Sequence, residues 1–353
     1  MPSASTRSRP GGRGPALSLV GAAVALVLAG CSSASSVYVG PVGQSSASAT
    51  GPSASASPKD GPVVPGQPGV GRFITLRTGE LERRFWIHLP LTAPQGPRPV
   101  VIAYHDSGSS ATGLARDSGI DGAADRNGVI VVFPDAVGGR WSSGQAGAVR
   151  KNGGVDDVAF TRDILAALPN IARVDLKRVV VTGIGDGALM ALRFAAERPT
   201  DVTGVVAIQG GLVSGPTPTV PKTPMSVAFI RGNADPSLPS DGLPERTNGG
   251  PQLGMQQTLD TYLRLDGLLG ATPTESVLMP DRDPGDGTRV RRTTWGPGTA
   301  GRTVTLYLVD GGGGPFPGGA ANTRDFASIG RVTRDLSAAS VIVRFALEVR
   351  QPA

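Results

Sequence analysis

Apolar residues follow two different rhythms along this chain, and the rhythms alternate. Pro99–Tyr104, Val129–Phe133, Arg178–Thr182, Val202–Ile208, Met225–Ile230 and Val304–Val309 are near-continuous apolar runs. Runs of this kind predict strands of a sheet buried on both faces. Between them, Gly113–Asn127, Val155–Leu168, Asp186–Glu197, Gln252–Leu268 and Thr333–Val349 carry helical patterns. Upstream, Arg72–Leu76 and Arg84–Leu89 read as two early antiparallel strands. Strand and helix in alternation predict an α/β fold with an open, mostly parallel central sheet flanked by helices. In such sheets function collects beyond the carboxyl ends of the strands, so the residues that follow each strand are the ones that matter.

The pattern changes character before residue 70. Arg7, Arg9 and Arg13 precede an apolar run from Ala16 to Ala29, which ends in Leu28-Ala29-Gly30-Cys31. Arginines, a short apolar stretch and a small-residue cleavage site make the layout of a secretory signal, and the stretch falls short of the ~20 apolar residues of a membrane span. Leu-Ala-Gly-Cys resembles a bacterial lipobox. By that resemblance residues 1–30 are a lipoprotein signal peptide cleaved before Cys31, and the cysteine is lipidated. The mature chain would then sit on the outer face of the cytoplasmic membrane or in the cell envelope. Cys31 is the single cysteine, so the folded part has no internal disulfide to lean on. Residues 31–69 are Ser, Ala, Gly, Pro and little else. They hold too little apolar surface to offset the entropy of ordering and read as a disordered tether. The α/β domain therefore spans 70–353. The net charge is +6, and the three arginines of the signal carry half of it, leaving +3 on the mature chain. No basic stripe remains of the kind that nucleic-acid binding requires.

Among the strand ends, the segment after Arg178–Thr182 is the most informative. Gly183-Ile184-Gly185-Asp186-Gly187 leads into a helix opening Ala188-Leu189-Met190. A strand, a tight glycine-rich turn and a helix form the setting of a nucleophile elbow, Gly-x-Ser-x-Gly. Both outer glycines are present, and Gly185 stands where the serine belongs.

From about Arg84 to Gly318 the chain resembles the secreted polyhydroxybutyrate depolymerase and feruloyl-esterase-like α/β-hydrolases. The resemblance is carried by Arg84-Phe85-Trp86-Ile87-His88-Leu89-Pro90, by Tyr104-His105 with Gly108 nearby, and by Val132-Phe133-Pro134-Asp135 with Trp141. It continues through Val155-Asp156-Asp157-Val158-Ala159-Phe160, then Val174-Asp175 into Thr182-Gly183, and on to Gly232-Asn233-Ala234-Asp235-Pro236 and Gly311–Gly318. No one element is specific; their order and spacing are. The resemblance implies a serine esterase whose nucleophile falls on Gly185, whose acid falls on Asp235, and whose histidine falls on Gly314. The family's Gly-Gly-His-x-Trp-Pro-Gly reads Gly312-Gly313-Gly314-Pro315-Phe316-Pro317-Gly318 here. Only the acid is retained. The oxyanion region maps to His105, Asp106 and Asp186, with Asp106 where the family usually has glycine. Trp141 and Phe316 are expected to line what remains of the substrate pocket, or to serve loop packing.

Ester cleavage by a triad needs a hydroxyl that attacks, an imidazole that moves its proton and a carboxylate that orients the imidazole. Glycine supplies neither of the first two, and a carboxylate at Asp106 opposes the charge an oxyanion hole must hold. No serine lies between Thr182 and Pro199 to take the role after a shift in alignment. Of the two histidines, His88 lies within a strand and reads as structural. Glycine at an elbow also relieves backbone strain of about 1–3 kcal/mol. The expected function is therefore an enveloped-anchored esterase-like domain that acts by binding a small molecule or polymer in a residual pocket, and needs no cofactor. The alternative is a secreted ester hydrolase, active or weakly active, that uses unrecognised groups. Two other signals are weaker. Gly183-x-Gly185-x-x-Ala188 matches a dinucleotide fingerprint, but it follows several strands, and Gln209-Gly210-Gly211, with no acid, ends the next one. Asp281, Asp283 and Asp286 before Gly287 lack the spacing and closing glutamate of a calcium loop, so a turn and no metal is expected. Asp156 and Asp157 suit the N-terminus of a helix.

Overall fold

The computed structural model describes residues 71–91, 95–144, 154–215, 218–243, 251–320 and 329–350. The signal, Cys31 and the tether lie outside the described residues. The chain forms a ten-stranded sheet. In chain order its strands begin with β1 (Arg72–Thr78), β2 (Leu81–His88), β3 (Arg98–Tyr104), β4 (Ile130–Pro134) and β5 (Val174–Ile184). β6 (Gly204–Ile208) and β7 (Ser226–Gly232) follow. A separate two-stranded ribbon comprises β8 (Gly242–Leu243) and β9 (Gln252–Leu253). β10 (Glu275–Leu278), β11 (Arg289–Trp295) and β12 (Val304–Asp310) complete the large sheet. Its spatial order is β1-β2-β4-β3-β5-β6-β7-β12-β11-β10. The centre, from β4 to β12, is parallel, and both margins are antiparallel. A mostly parallel central sheet is thus in place, as the apolar runs predict.

Side chains alternate across it with period two. Val100, Ile102 and Tyr104 enter one core, together with Val179 and Val181, while Val101, Ala103 and Val180 enter the other. The first core is closed by α3 (Asp157–Ala167), α4 (Asp186–Glu197) and α5 (Met255–Leu265); the second is closed by α1 (Ala111–Ser118), α2 (Ile120–Asn127) and α6 (Ala338–Glu348). The helix expected over Gly113–Asn127 is two helices. Gly119 breaks it with φ 69°, a left-handed conformation that glycine reaches without steric cost. Asp156 caps α3 by accepting from the Ala159 N–H at 2.8 Å. Asp157 does more than favour a helix terminus. It is fully buried and meets the equally buried Arg83 of β2 at 2.7 Å, so the pair ties the sheet margin to α3.

β10 and β11 were not expected. Their residues are exposed or half-buried except Val290, so no apolar run marks them. They form through the β11–β12 register, with Thr294 opposite Thr305 and Arg292 opposite Tyr307.

Candidate functional site

The turn between β5 and α4 is built by close approach. A Cβ on Gly183 would lie 2.2 Å from the Gly187 carbonyl oxygen, and one on Gly187 would lie 2.1 Å from that of Tyr104. Both positions exclude side chains on steric grounds. Gly185 sits between them at φ 56° and ψ −121°, at the head of α4. Its N–H donates to Ile208 and its carbonyl starts the helix. The turn therefore has the sharp, strained backbone of an elbow, occupied by the residue that adopts it most cheaply.

Asp106 fills the space above it. A Cβ on Gly185 would lie 2.2 Å from Asp106 Oδ1 and 2.5 Å from its carboxyl carbon. That same Oδ1 accepts from the Asp186 N–H at 2.9 Å and from the Ser107 N–H at 2.7 Å. In α/β-hydrolases the oxyanion hole combines the N–H after the nucleophile with one from the loop after β3. Here the Asp186 N–H follows Gly185 and the Ser107 N–H lies in the loop after β3, and one Asp106 oxygen holds both donors. Asp106 is exposed as a residue, but its carboxyl packs against the Gly185 turn. The partial loss of water there raises its pKa above the ordinary carboxylate range, opposed by the two N–H bonds and reinforced by the neighbouring charge of Asp186. Asp186 itself accepts from the Trp141 N–H at 3.0 Å and from the Ser143 hydroxyl at 2.8 Å.

His105 is spent on structure. Its Nδ1 faces the Asp106 carbonyl at 2.8 Å, and its Nε2 accepts from the Ala136 N–H at 3.1 Å. Those partners require the neutral ring with its proton on Nδ1. His88 is likewise buried and bonds Asp125 through Nε2 at 2.9 Å. Trp141 is fully buried; its Nε1–H donates to the His105 carbonyl at 2.7 Å and its ring packs against Tyr104 and His105. Phe316 is buried in the core beneath α6. Both rings are packed within the two hydrophobic cores. The physical reason is the same for both: a large ring beside a buried strand end stabilises more by filling the core than by facing water.

On the far side of the sheet centre, Asp235 follows β7 and is buried. Its Oδ1 accepts from the Ser237 N–H and hydroxyl at 2.8 and 2.7 Å. Its Oδ2 is buried and has no hydrogen-bond partner among the described residues. A Cβ on Gly314 would lie 3.3 Å from that oxygen. The structure thus brings Asp235 and Gly314 together, with the vacant acceptor aimed where a side chain at 314 would begin. Gly314 does not have a left-handed φ. Its loop is strapped by the Gly313 N–H to Arg331 and the Gly314 N–H to Ile329, at 2.8 and 2.7 Å.

Gln209, noted in the sequence only for not being an acid, holds these loops together. It is buried at φ 49°, accepts from the Gly232 N–H at 3.2 Å, and donates to the Gly313 carbonyl. A non-glycine residue at positive φ at a strand end is a strained position that its surroundings must enforce; nothing in the sequence pattern marks it. The carboxylates near Gly287 are occupied as turn acceptors: Asp286 Oδ1 takes the Thr288 N–H at 2.7 Å, Asp283 takes the Gly285 N–H at 3.2 Å, and Asp281 pairs with Arg289.

No family model matches the chain. It is 33% identical over 276 residues to "Putative esterase NocK" of Nocardia uniformis subsp. tsuyamanensis, covering 75% of this chain and 79% of that protein. It is 26% identical over 184 residues to feruloyl esterase C of Emericella nidulans, covering 50% of this chain and 64% of the other. Among solved structures, an acetyl xylan esterase from Aspergillus awamori aligns with a TM-score of 0.46 at 17% identity, over 68% of this chain and 93% of that one. That superposition is loose, and the sheet order itself carries the fold assignment.

Proposed function

Because the chain belongs to the esterase family of NocK, we propose that it is a non-catalytic member: a lipid-anchored envelope protein that keeps the ester-hydrolase fold and acts by binding. Gly185 is the former nucleophile position, Gly314 the former histidine position and Asp235 the retained acid. One observation carries this reading. Asp106 Oδ1 takes the N–H of Asp186 and that of Ser107 while overlapping the space a side chain at Gly185 would need. The elbow has no hydroxyl, the acid has no imidazole to orient, and an anion is already seated where a tetrahedral oxyanion would form. Each of these alone removes a large part of triad catalysis. The orphaned Oδ2 of Asp235 supports the same history, since a buried acceptor without a donor is a cost that a working triad would not leave.

The test uses the purified protein with an activated acyl ester and a serine-directed phosphonate. The expected result is no hydrolysis above buffer and no label. Hydrolysis with labelling refutes the proposal, because it requires a nucleophile outside these positions. The triple variant Asp106→Gly, Gly185→Ser, Gly314→His is expected to regain measurable hydrolysis. Gly185→Ser alone and Gly314→His alone are not, because losing one triad member costs nearly as much as losing all.

A further inference from the structure

We propose that a polar cavity at the end of the sheet opposite Gly185 is a binding site for a small polyvalent anion bearing carboxylate or phosphate groups. It lies at the amino ends of β7 and β12, whereas Gly185, Asp235 and Gly314 all follow strand carboxyl ends. Its volume is about 570 Å³, within the range of small-molecule sites.

The cavity arises from the two strands that the sequence pattern did not announce. α6 packs on β3, β5 and β6, and the sheet continues past it through β12, β11 and β10. The gap between helix and extension is floored by hydroxyls. Ser226 of β7 and Thr305 of β12 face it together with Thr294 of β11, and the last two stand opposite each other with their hydroxyls 3.3 Å apart.

Its charge is unbalanced. Four arginines, at 292, 302, 344 and 350, face two acids, Glu275 and Glu348. Arg292 is matched by Glu275 at 2.5 Å. With that pair set aside, three guanidinium groups face one lining carboxylate, Glu348, and the charge of Asp266 also acts on Arg302. Among the described residues none of Arg302, Arg344 and Arg350 makes an ion pair, and Arg302 and Arg350 spend N–H groups on main-chain carbonyls. The Nε atoms of Arg292 and Arg302 are buried without an acceptor among the described residues. A guanidinium N–H removed from water and left unpaired is costly, and a carboxylate or phosphate oxygen is the acceptor that suits it best. An occupant with several carboxylate or phosphate oxygens would offset the remaining excess and supply acceptors to the arginines, while its other polar groups meet the threonine and serine hydroxyls.

This inference is independent of whether the elbow is catalytic. Its test is calorimetric titration of the purified protein with citrate and with inorganic phosphate, against chloride at equal ionic strength. Citrate or phosphate is expected to bind with 1:1 stoichiometry. Arg302→Gln and Arg344→Gln are each expected to weaken binding about tenfold, the order of one charge-assisted contact. Glu348→Gln is expected to tighten it, and Arg116→Gln, an exposed side chain on α1, to leave it unchanged. Arg344 stands on a helix surface, so its variant reports even if Arg302→Gln fails to fold. Absence of binding beyond the chloride control overturns the proposal, as does binding that both arginine variants leave intact.

Discussion

Replacing Gly185 by alanine asks whether Asp106 is the obstacle above the elbow. At φ 56° and ψ −121° a non-glycine residue is strained, which costs about 1–3 kcal/mol. The new Cβ also meets Asp106 Oδ1 at 2.2 Å, so the carboxylate must leave. It then gives up its bonds to the Asp186 and Ser107 N–H groups. Because Asp106 borders solvent, the displaced group and the freed donors are rehydrated, and the loss is about 1–2 kcal/mol. The total for Gly185→Ala is therefore about 2–5 kcal/mol. In an Asp106→Ala background the obstacle is gone and only the strain remains, about 1–3 kcal/mol. Urea denaturation of the wild type, both single variants and the double variant closes the cycle. The expected coupling is about 1–2 kcal/mol, with Gly185→Ala less costly once Asp106 is absent. If Gly185→Ala costs the same in both backgrounds within about 0.5 kcal/mol, Asp106 does not occupy the space assigned to it.

Two further predictions concern other parts of the chain. Burial pushes the Asp266 carboxyl up to about 6 from 3.8, against the Met225 N–H and the Arg302 charge that hold it down. Below about pH 4 the group is neutral folded and unfolded; between about 4 and 6 the unfolded chain releases its proton first, so stability falls as pH rises and levels off above 6. Asp266→Asn should remove this decline, gaining about 1–3 kcal/mol over wild type at pH 7 and nothing at pH 3; an equal difference at both pH values refutes the assignment. Cys31→Ala should shift the protein out of the membrane fraction and accumulate the unprocessed form, and a membrane-bound, processed variant would end the anchor proposal.

The central fold was legible because its strands are buried on both faces, and double burial writes a continuous apolar run such as Pro99–Tyr104. The extension was not, because β10 is short and mostly exposed and β11 is half-covered and rich in arginine and threonine, which read as loop. The elbow was legible from Gly183 and Gly187, whose contacts admit no side chain. Asp106 drew attention in the sequence as a charge beside the elbow; the structure adds that its Oδ1 accepts both the Asp186 and the Ser107 N–H. Distance along the chain hid this: Asp106 and Asp186 lie eighty residues apart and are brought together by the β3–β5 pairing. Gln209 and the basic cavity were invisible for the same reason, since each gathers residues from several elements with no local pattern among them.

The seat of Asp106 has a consequence for any acyl or carboxylate ligand that approaches Gly185. Such a ligand meets a competitor that is part of the chain, present at an effective concentration no free solute reaches. Its apparent affinity is its intrinsic affinity multiplied by the fraction of molecules in which Asp106 has swung away. A hundredfold preference for the seated state would weaken every such ligand by about a hundredfold, whatever its shape. Selectivity at this end of the sheet is then set less by the walls of a pocket than by the equilibrium of one short side chain, and Asp106→Ala should raise the affinity of unrelated anions by a common factor.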